Sequence, residues 1–187
     1  MGAMTAILTG IALAASAGLR AFLPLFAGGL AARFLDWPMA PSLGWMATDP
    51  ALIAFGVASL VEVVADKVPT VDHALDAAQT VLAPAAGVVA MLSPFYGLTP
   101  TYAVALAIIV GGPVAGGVHA LAALTRIKST ATTGGLANPV LSVLEDIAAG
   151  LATILAFLAP LLILLVTGLV AALALRRRRL APRPPAE

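Results

Sequence analysis

The chain has 187 residues, 61% of them hydrophobic and 10% charged, with a mean hydropathy of +1.04. That composition excludes an ordinary soluble domain and points to a protein that resides in lipid. The lack of cysteine excludes a disulfide framework, a thiolate metal site and a catalytic thiol, and the net charge of +1 says little because the basic residues are unevenly spread.

Several apolar runs are long enough to cross a hydrocarbon core, which takes about 20 helical residues. Alternating strands of a membrane barrel are missing, and Ala, Gly, Leu and Val dominate, as suits closely packed membrane helices. The expected fold is an all-α polytopic transmembrane bundle of about six helices over residues 1–176, some broken or re-entrant, with a basic, proline-rich tail at 177–187. Five full crossings are the alternative.

The first apolar segment, residues 5–32, is interrupted by Arg20 and Pro24. It has no basic leading region and does not read as a signal peptide. Residues 33–50 form a polar, proline-bearing connection, with Trp37 and Trp45 suited to a membrane interface. The second segment, 51–65, ends in Asp66-Lys67-Val68-Pro69, and the third runs from about 71 to 92. A turn rich in Pro and Gly follows at 93–100, then a fourth segment at 101–124 and a polar stretch at 125–138. The last apolar run, 139–175, is too long for one ordinary crossing; Pro160 divides it into two expected elements meeting near 157–161.

The arginines at 176–179 favour the cytoplasmic side. Six crossings place both termini, Lys67, Arg126 and Lys128 on that side, whereas five would separate Arg126 and Lys128 from the tail. The tail can also meet anionic lipid headgroups. No nucleic-acid partner is expected, and the small-residue helices permit a homo-oligomer. An internal repeat is suggested by residues 84–94 and 147–160, in which Ala-Ala-Gly precedes an apolar run and a proline.

Carboxylates beside lipid-length segments are expensive to place and mark a candidate site. Glu62 and Asp66 are four residues apart and share one helix face, as do Asp72 and Asp76 on the next helix. A tight connection through Pro69 would bring these faces together, with His73 and Gln79 nearby. Glu145 and Asp146 are adjacent, about 100° apart around a helix, and are not expected to share one ligand. This oxygen-rich set suits protons or a divalent cation such as Mg²⁺, and His73 would widen the choice of metal. The bland alternative is a solvated interfacial loop partly neutralised by Lys67.

A second polar group comprises Arg126, Lys128, Ser129, Thr130, Thr133 and Asn138, with Gly134 and Gly135 before a proline-started helix. Hydroxyls, backbone N–H groups and two cations there would suit an anion or phosphate, although the fixed spacing of a nucleotide P-loop is missing. A flexible loop explains the composition equally. Arg20, inside an apolar segment, needs a carboxylate, carbonyl, lipid head or water partner. His119 reads as a packed polar residue.

Gly18-Leu19-Arg20-Ala21-Phe22-Leu23-Pro24, Val61-Glu62, Ala65-Asp66-Lys67-Val68-Pro69, Val71-Asp72-His73, and Ser129-Thr130 through Asn138-Pro139 to Ser142 and Glu145-Asp146 together resemble a bacterial membrane family, domain of unknown function 4126. The resemblance covers nearly the whole chain except the tail. It implies a small multi-pass inner-membrane protein and supplies no activity.

Two functional classes follow. One is a transporter or channel-like protein for an ion, small solute or lipid-linked phosphate, with the acids, Arg20 and the Ser/Thr/Gly segment lining a polar path. The other is a membrane enzyme acting on a phosphate-bearing lipid through a metal. The Asp72–Asp76 spacing resembles part of the CDP-alcohol phosphotransferase pattern, whose upstream Asp/Gly/Ala/Arg residues are missing here. A scaffold or assembly protein is the third reading. The expectation carried forward is one shared polar site, facing the cytoplasm.

Overall fold

In the computed structural model, residues 2–67 and 69–180 are described, apart from the side chains of 69–74 and of most residues beyond 160. Seven α-helices make up the described chain: α1 (Ala3–Leu19), α2 (Leu23–Phe34), α3 (Asp49–Ala65), α4 (Pro69–Leu92), α5 (Pro100–Leu106), α6 (Gly112–Thr133) and α7 (Asn138–Leu180). A 3₁₀ turn at Pro41–Ala47 precedes α3, and a π-helical turn at Ala107–Gly111 joins α5 to α6.

The chain is a polytopic helical membrane protein. Among the described residues, three helical stretches are long and apolar enough to span a bilayer: Leu75–Leu92, Pro100–Thr133 and Asn138–Pro160. A fourth arises if Pro41–Ala47 and Asp49–Ala65, bent by 72° relative to each other, count as one span.

Three stretches differ from the sequence reading. The first apolar segment is two short helices, because Arg20 takes an extended conformation (φ −141°, ψ 103°) and Pro24 sets the first turn of α2. The last apolar run is one helix, α7, with Pro160 inside it rather than a junction of two. In a membrane helix the carbonyl left without an N–H partner by proline is re-satisfied locally or by neighbours, so a proline need not end the element. The polar stretch at 125–138 is mostly helix, since α6 runs on to Thr133. There Gly134 (φ 63°) supplies the left-handed residue that ends it. Thr132 and Thr133 donate their hydroxyls to the carbonyls of Lys128 and Ser129, one turn back within the helix.

Helix α1 is the axis of the bundle and packs along α4, α6 and α7, while α2 packs chiefly on α3 and the 3₁₀ turn. Small residues permit the close approach. A Cβ on Gly10 would lie 2.8 Å from the Met91 carbonyl oxygen, and one on Gly18 would lie 2.7 Å from Val118 Cβ. Gly87 of α4 and Gly111 of the π turn meet backbone to backbone: a Cβ on either would stand 2.6 Å from the other's carbonyl oxygen. The π turn therefore sits at a close backbone approach to α4. Gly150, the counterpart of Gly87 in the suggested repeat, has open space around it. The two copies are packed differently.

Gly87→Ala is expected to destabilise the bundle by about 1–3 kcal/mol through overpacking. Gly150→Ala is expected to be neutral or to stabilise by up to about 1 kcal/mol through helix propensity. Unfolding of the purified protein in mixed micelles measures both, and equal effects would contradict this packing.

Candidate functional site

The break between α1 and α2 generates the polar centre. A helix start exposes N–H groups that need acceptors. Here Glu62 of α3 provides them: its Oε1 accepts from the Ala21 N–H at 2.7 Å and its Oε2 from the Phe22 N–H at 3.3 Å. Gln79 Nε2 of α4 donates to the same Oε1 at 2.7 Å. Glu62 is only 1% exposed. A buried carboxylate thus stands where an anion would bind a helix N-terminus.

At the same break, Arg20 is 1% exposed and points toward α7 and the end of α3. Its Nη2 lies 2.5 Å from Asp66 Oδ2, and its Nε donates to Asp146 Oδ1 at 2.5 Å. Nη2 also donates to the carbonyl and hydroxyl oxygens of Ser142, each at 3.3 Å, and Nη1 to the Leu19 carbonyl at 3.2 Å. Glu145 Oε2 lies 3.9 Å from Arg20 Nη1.

Arg126 of α6 enters from the other side. Its Nη2 donates to Asp66 Oδ2 at 2.8 Å and to Glu145 Oε2, its Nη1 to Asp76 Oδ1 at 3.0 Å, and its Nε to Glu145 Oε1 at 3.3 Å. Asp66 Oδ2 therefore takes both guanidiniums, and Ser142 Oγ donates to it at 3.2 Å. Asp66 Oδ1 is buried without a hydrogen-bond partner. Lys67 Nζ completes the rim, 2.8 Å from Asp146 Oδ2 and 2.9 Å from the Val63 carbonyl. The α1–α7 seam continues the polar contacts inward, with Ser16 Oγ donating to the Ala149 carbonyl at 2.9 Å and lying 2.6 Å from Thr153 Oγ1.

Next to this network lies a cavity of about 560 Å³ between α4, α6 and the start of α7. Asp76, Thr80, His119, Arg126, Thr130 and Asn138 supply its polar lining. The chain backbones touch at Gly87 and Gly111, and the cavity lies farther along, toward Asp76 and Arg126.

Most of the acids singled out from sequence meet in one place. Glu62, Asp66, Asp76, Glu145 and Asp146 join Arg20 and Arg126 there. Glu145 and Asp146, expected to need separate ligands, both face Arg20. Their angular offset is spanned because a guanidinium offers donors along more than one edge. The side chains of Asp72 and His73 lie outside the described residues, as do residues 181–187 and the side chains of the arginines at 176–179.

The second polar group is divided. Arg126 belongs to the network. Thr130 and Asn138 line the cavity, bonded to each other through Asn138 Nδ2 and Thr130 Oγ1 at 3.0 Å. Lys128 is exposed, Ser129 is half-buried, and exposed Thr133 bonds locally. Arg126 turns inward to carboxylates, whereas Lys128 faces outward. Among the described residues no three His, Asp or Glu side chains are grouped to hold a metal ion. The described carboxylates are engaged instead by guanidinium, ammonium and N–H donors.

Ser142, Thr80 and His119 were not read as site residues. Ser142 carried a signal, since it stands four residues before Asp146 and so shares its helix face.

Breaking a buried ion pair by removing one partner typically costs about 3–5 kcal/mol, whereas an exposed pair contributes about 0–1 kcal/mol. Arg126→Ala is therefore expected to destabilise by several-fold more than Lys67→Ala, whose side chain is 40% exposed. Unfolding midpoints in mixed micelles compare them, and equal losses would contradict the burial of the network.

No curated protein and no solved structure matches the chain. The family described as Domain of unknown function (DUF4126) matches residues 7–179, nearly the whole chain. The protein is thus a member of the DUF4126 family.

Proposed function

We propose that this membrane protein is a transporter for an ion or small polar solute, with its polar path between α4, α6 and α7. The observation that carries this reading is the position of the cavity. It abuts a buried charged network inside an otherwise apolar bundle, and Asp76 and Arg126 belong to both. Ionisable groups within membrane segments commonly line substrate or ion pathways. A volume of about 560 Å³ falls within the range of roughly 300–1,000 Å³ typical of small-molecule sites.

The broken α1–α2 helix supports the same reading. Discontinuous helices near a bundle's centre often frame transport sites, because their free ends offer polar groups inside the membrane. Glu62 meets the N–H groups of Ala21 and Phe22 there, and Arg20 the carbonyl of Leu19. Movement of α4 relative to α6 would exchange Arg126 contacts and open the cavity toward the seam lined by Ser16 and Thr153.

Proteoliposomes on a solid-supported membrane test this by current or tracer uptake after jumps of sodium, potassium, inorganic phosphate or ethylamine. At least one is expected to give a saturable signal that Asp76→Asn lowers about tenfold, the scale of one charge-assisted hydrogen bond. Folded, reconstituted protein that moves none of them would contradict transport.

A further inference from the structure

We infer that the cavity between α4 and α6 takes a cationic hydrogen-bond donor, of the primary ammonium class, with Asp76 as its counter-ion. This rests on the transport reading for its role as substrate, but its binding is testable alone.

The first argument is charge. Within the described network three cationic side chains, Arg20, Lys67 and Arg126, face four carboxylates, Asp66, Asp76, Glu145 and Asp146, and Glu62 adds a fifth nearby. The excess is negative. An anion entering the cavity would meet that excess, whereas a cation would offset it.

The second argument is the hydrogen-bonding inventory of the walls. Arg126 is the cavity's cationic wall, and its Nε, Nη1 and Nη2 all donate to carboxylates. Asn138 uses its amide N–H on Thr130. Thr80 donates its hydroxyl to the Asp76 carbonyl at 3.1 Å, so only its lone pairs remain for a ligand. Asp76 is an acceptor alone: its Oδ1 receives Arg126, and its side chain is 31% exposed. Beside the cavity, Asn138 Oδ1 is buried without a partner. The Asp76 carboxylate and the lone pairs of Thr80 and Thr130 are thus acceptors for an –NH₃⁺ group, which has three donors and no acceptor.

The ammonium can come from a free amine or from the ethanolamine headgroup of a lipid, since the cavity lies between helices with exposed apolar residues such as Val81 and Ile127 on either side. The full chain in phosphatidylcholine nanodiscs, titrated calorimetrically with ethylamine and with acetate, tests the class. Ethylamine is expected to bind saturably and acetate not to. Asp76→Asn is expected to weaken ethylamine about tenfold. Thr80→Val, which touches no ion pair, is expected to weaken it severalfold while the protein stays folded. Nanodiscs containing phosphatidylethanolamine separate the sources: unchanged ethylamine binding assigns a free amine, and competition by the lipid assigns the headgroup. Acetate binding in preference, binding of neither, or ethylamine binding untouched by both substitutions would overturn the inference. Ethylamine binding without flux of any solute would keep this site and remove transport. Flux of phosphate without ethylamine binding would do the reverse.

Discussion

Two guanidiniums, Arg20 and Arg126, converge on one oxygen, Asp66 Oδ2, at 2.5 and 2.8 Å. Like charges held that near each other are tolerable in an apolar bundle only because carboxylates surround them, and a charge left unpaired there would be costly. The arrangement dictates much else. Arg20 turns extended after its N–H makes the last α1 bond to Ser16, so α1 stops and α2 starts anew. Glu62 must then satisfy the N–H groups of Ala21 and Phe22. The start of α7 must bring Ser142, Glu145 and Asp146 to the break, and α6 must extend far enough to deliver Arg126.

Close packing makes this convergence possible. With glycine at 10, 18, 87 and 111, α1, α4 and α6 approach until backbone meets neighbour. The same helices then leave a cavity toward the charged end, where Thr80, His119 and Thr130 replace the glycines along the seam. Tight contact at one end and a polar hollow at the other is the geometry on which the proposed transport role rests.

Parts of this were legible in the residues. Arg20 within an apolar run demanded a partner, and Glu62 and Asp66, four apart, had to share a face; both are indeed turned inward. The clustering of acids around Pro69 foretold that α3 and α4 present carboxylates together. Other parts were hidden for identifiable reasons. Hydroxyls at 129–133 resembled a loop by composition, yet those of Thr132 and Thr133 bond to carbonyls one turn back and all four belong to a helix. Pro160 resembled a boundary because proline's cost in water does not carry over to a helix whose neighbours can compensate. The shared use of Arg20 by Glu145 and Asp146 depended on the width of a guanidinium, which helical angle alone does not convey. The direction of Arg126, inward to carboxylates rather than outward to an anion, was a matter of tertiary placement.

The central claim is that Arg20 and Asp66 form an energetically coupled buried pair at the helix break. A double-mutant cycle of Arg20→Gln and Asp66→Asn, read by reversible unfolding in mixed micelles, measures this directly. Residues within one ion-pair network couple by about 0.5–3 kcal/mol, and the double variant is expected to be more stable than the sum of the single losses by an amount in the upper half of that range. Additivity within about 0.5 kcal/mol would contradict the account, because independent sites add to that tolerance.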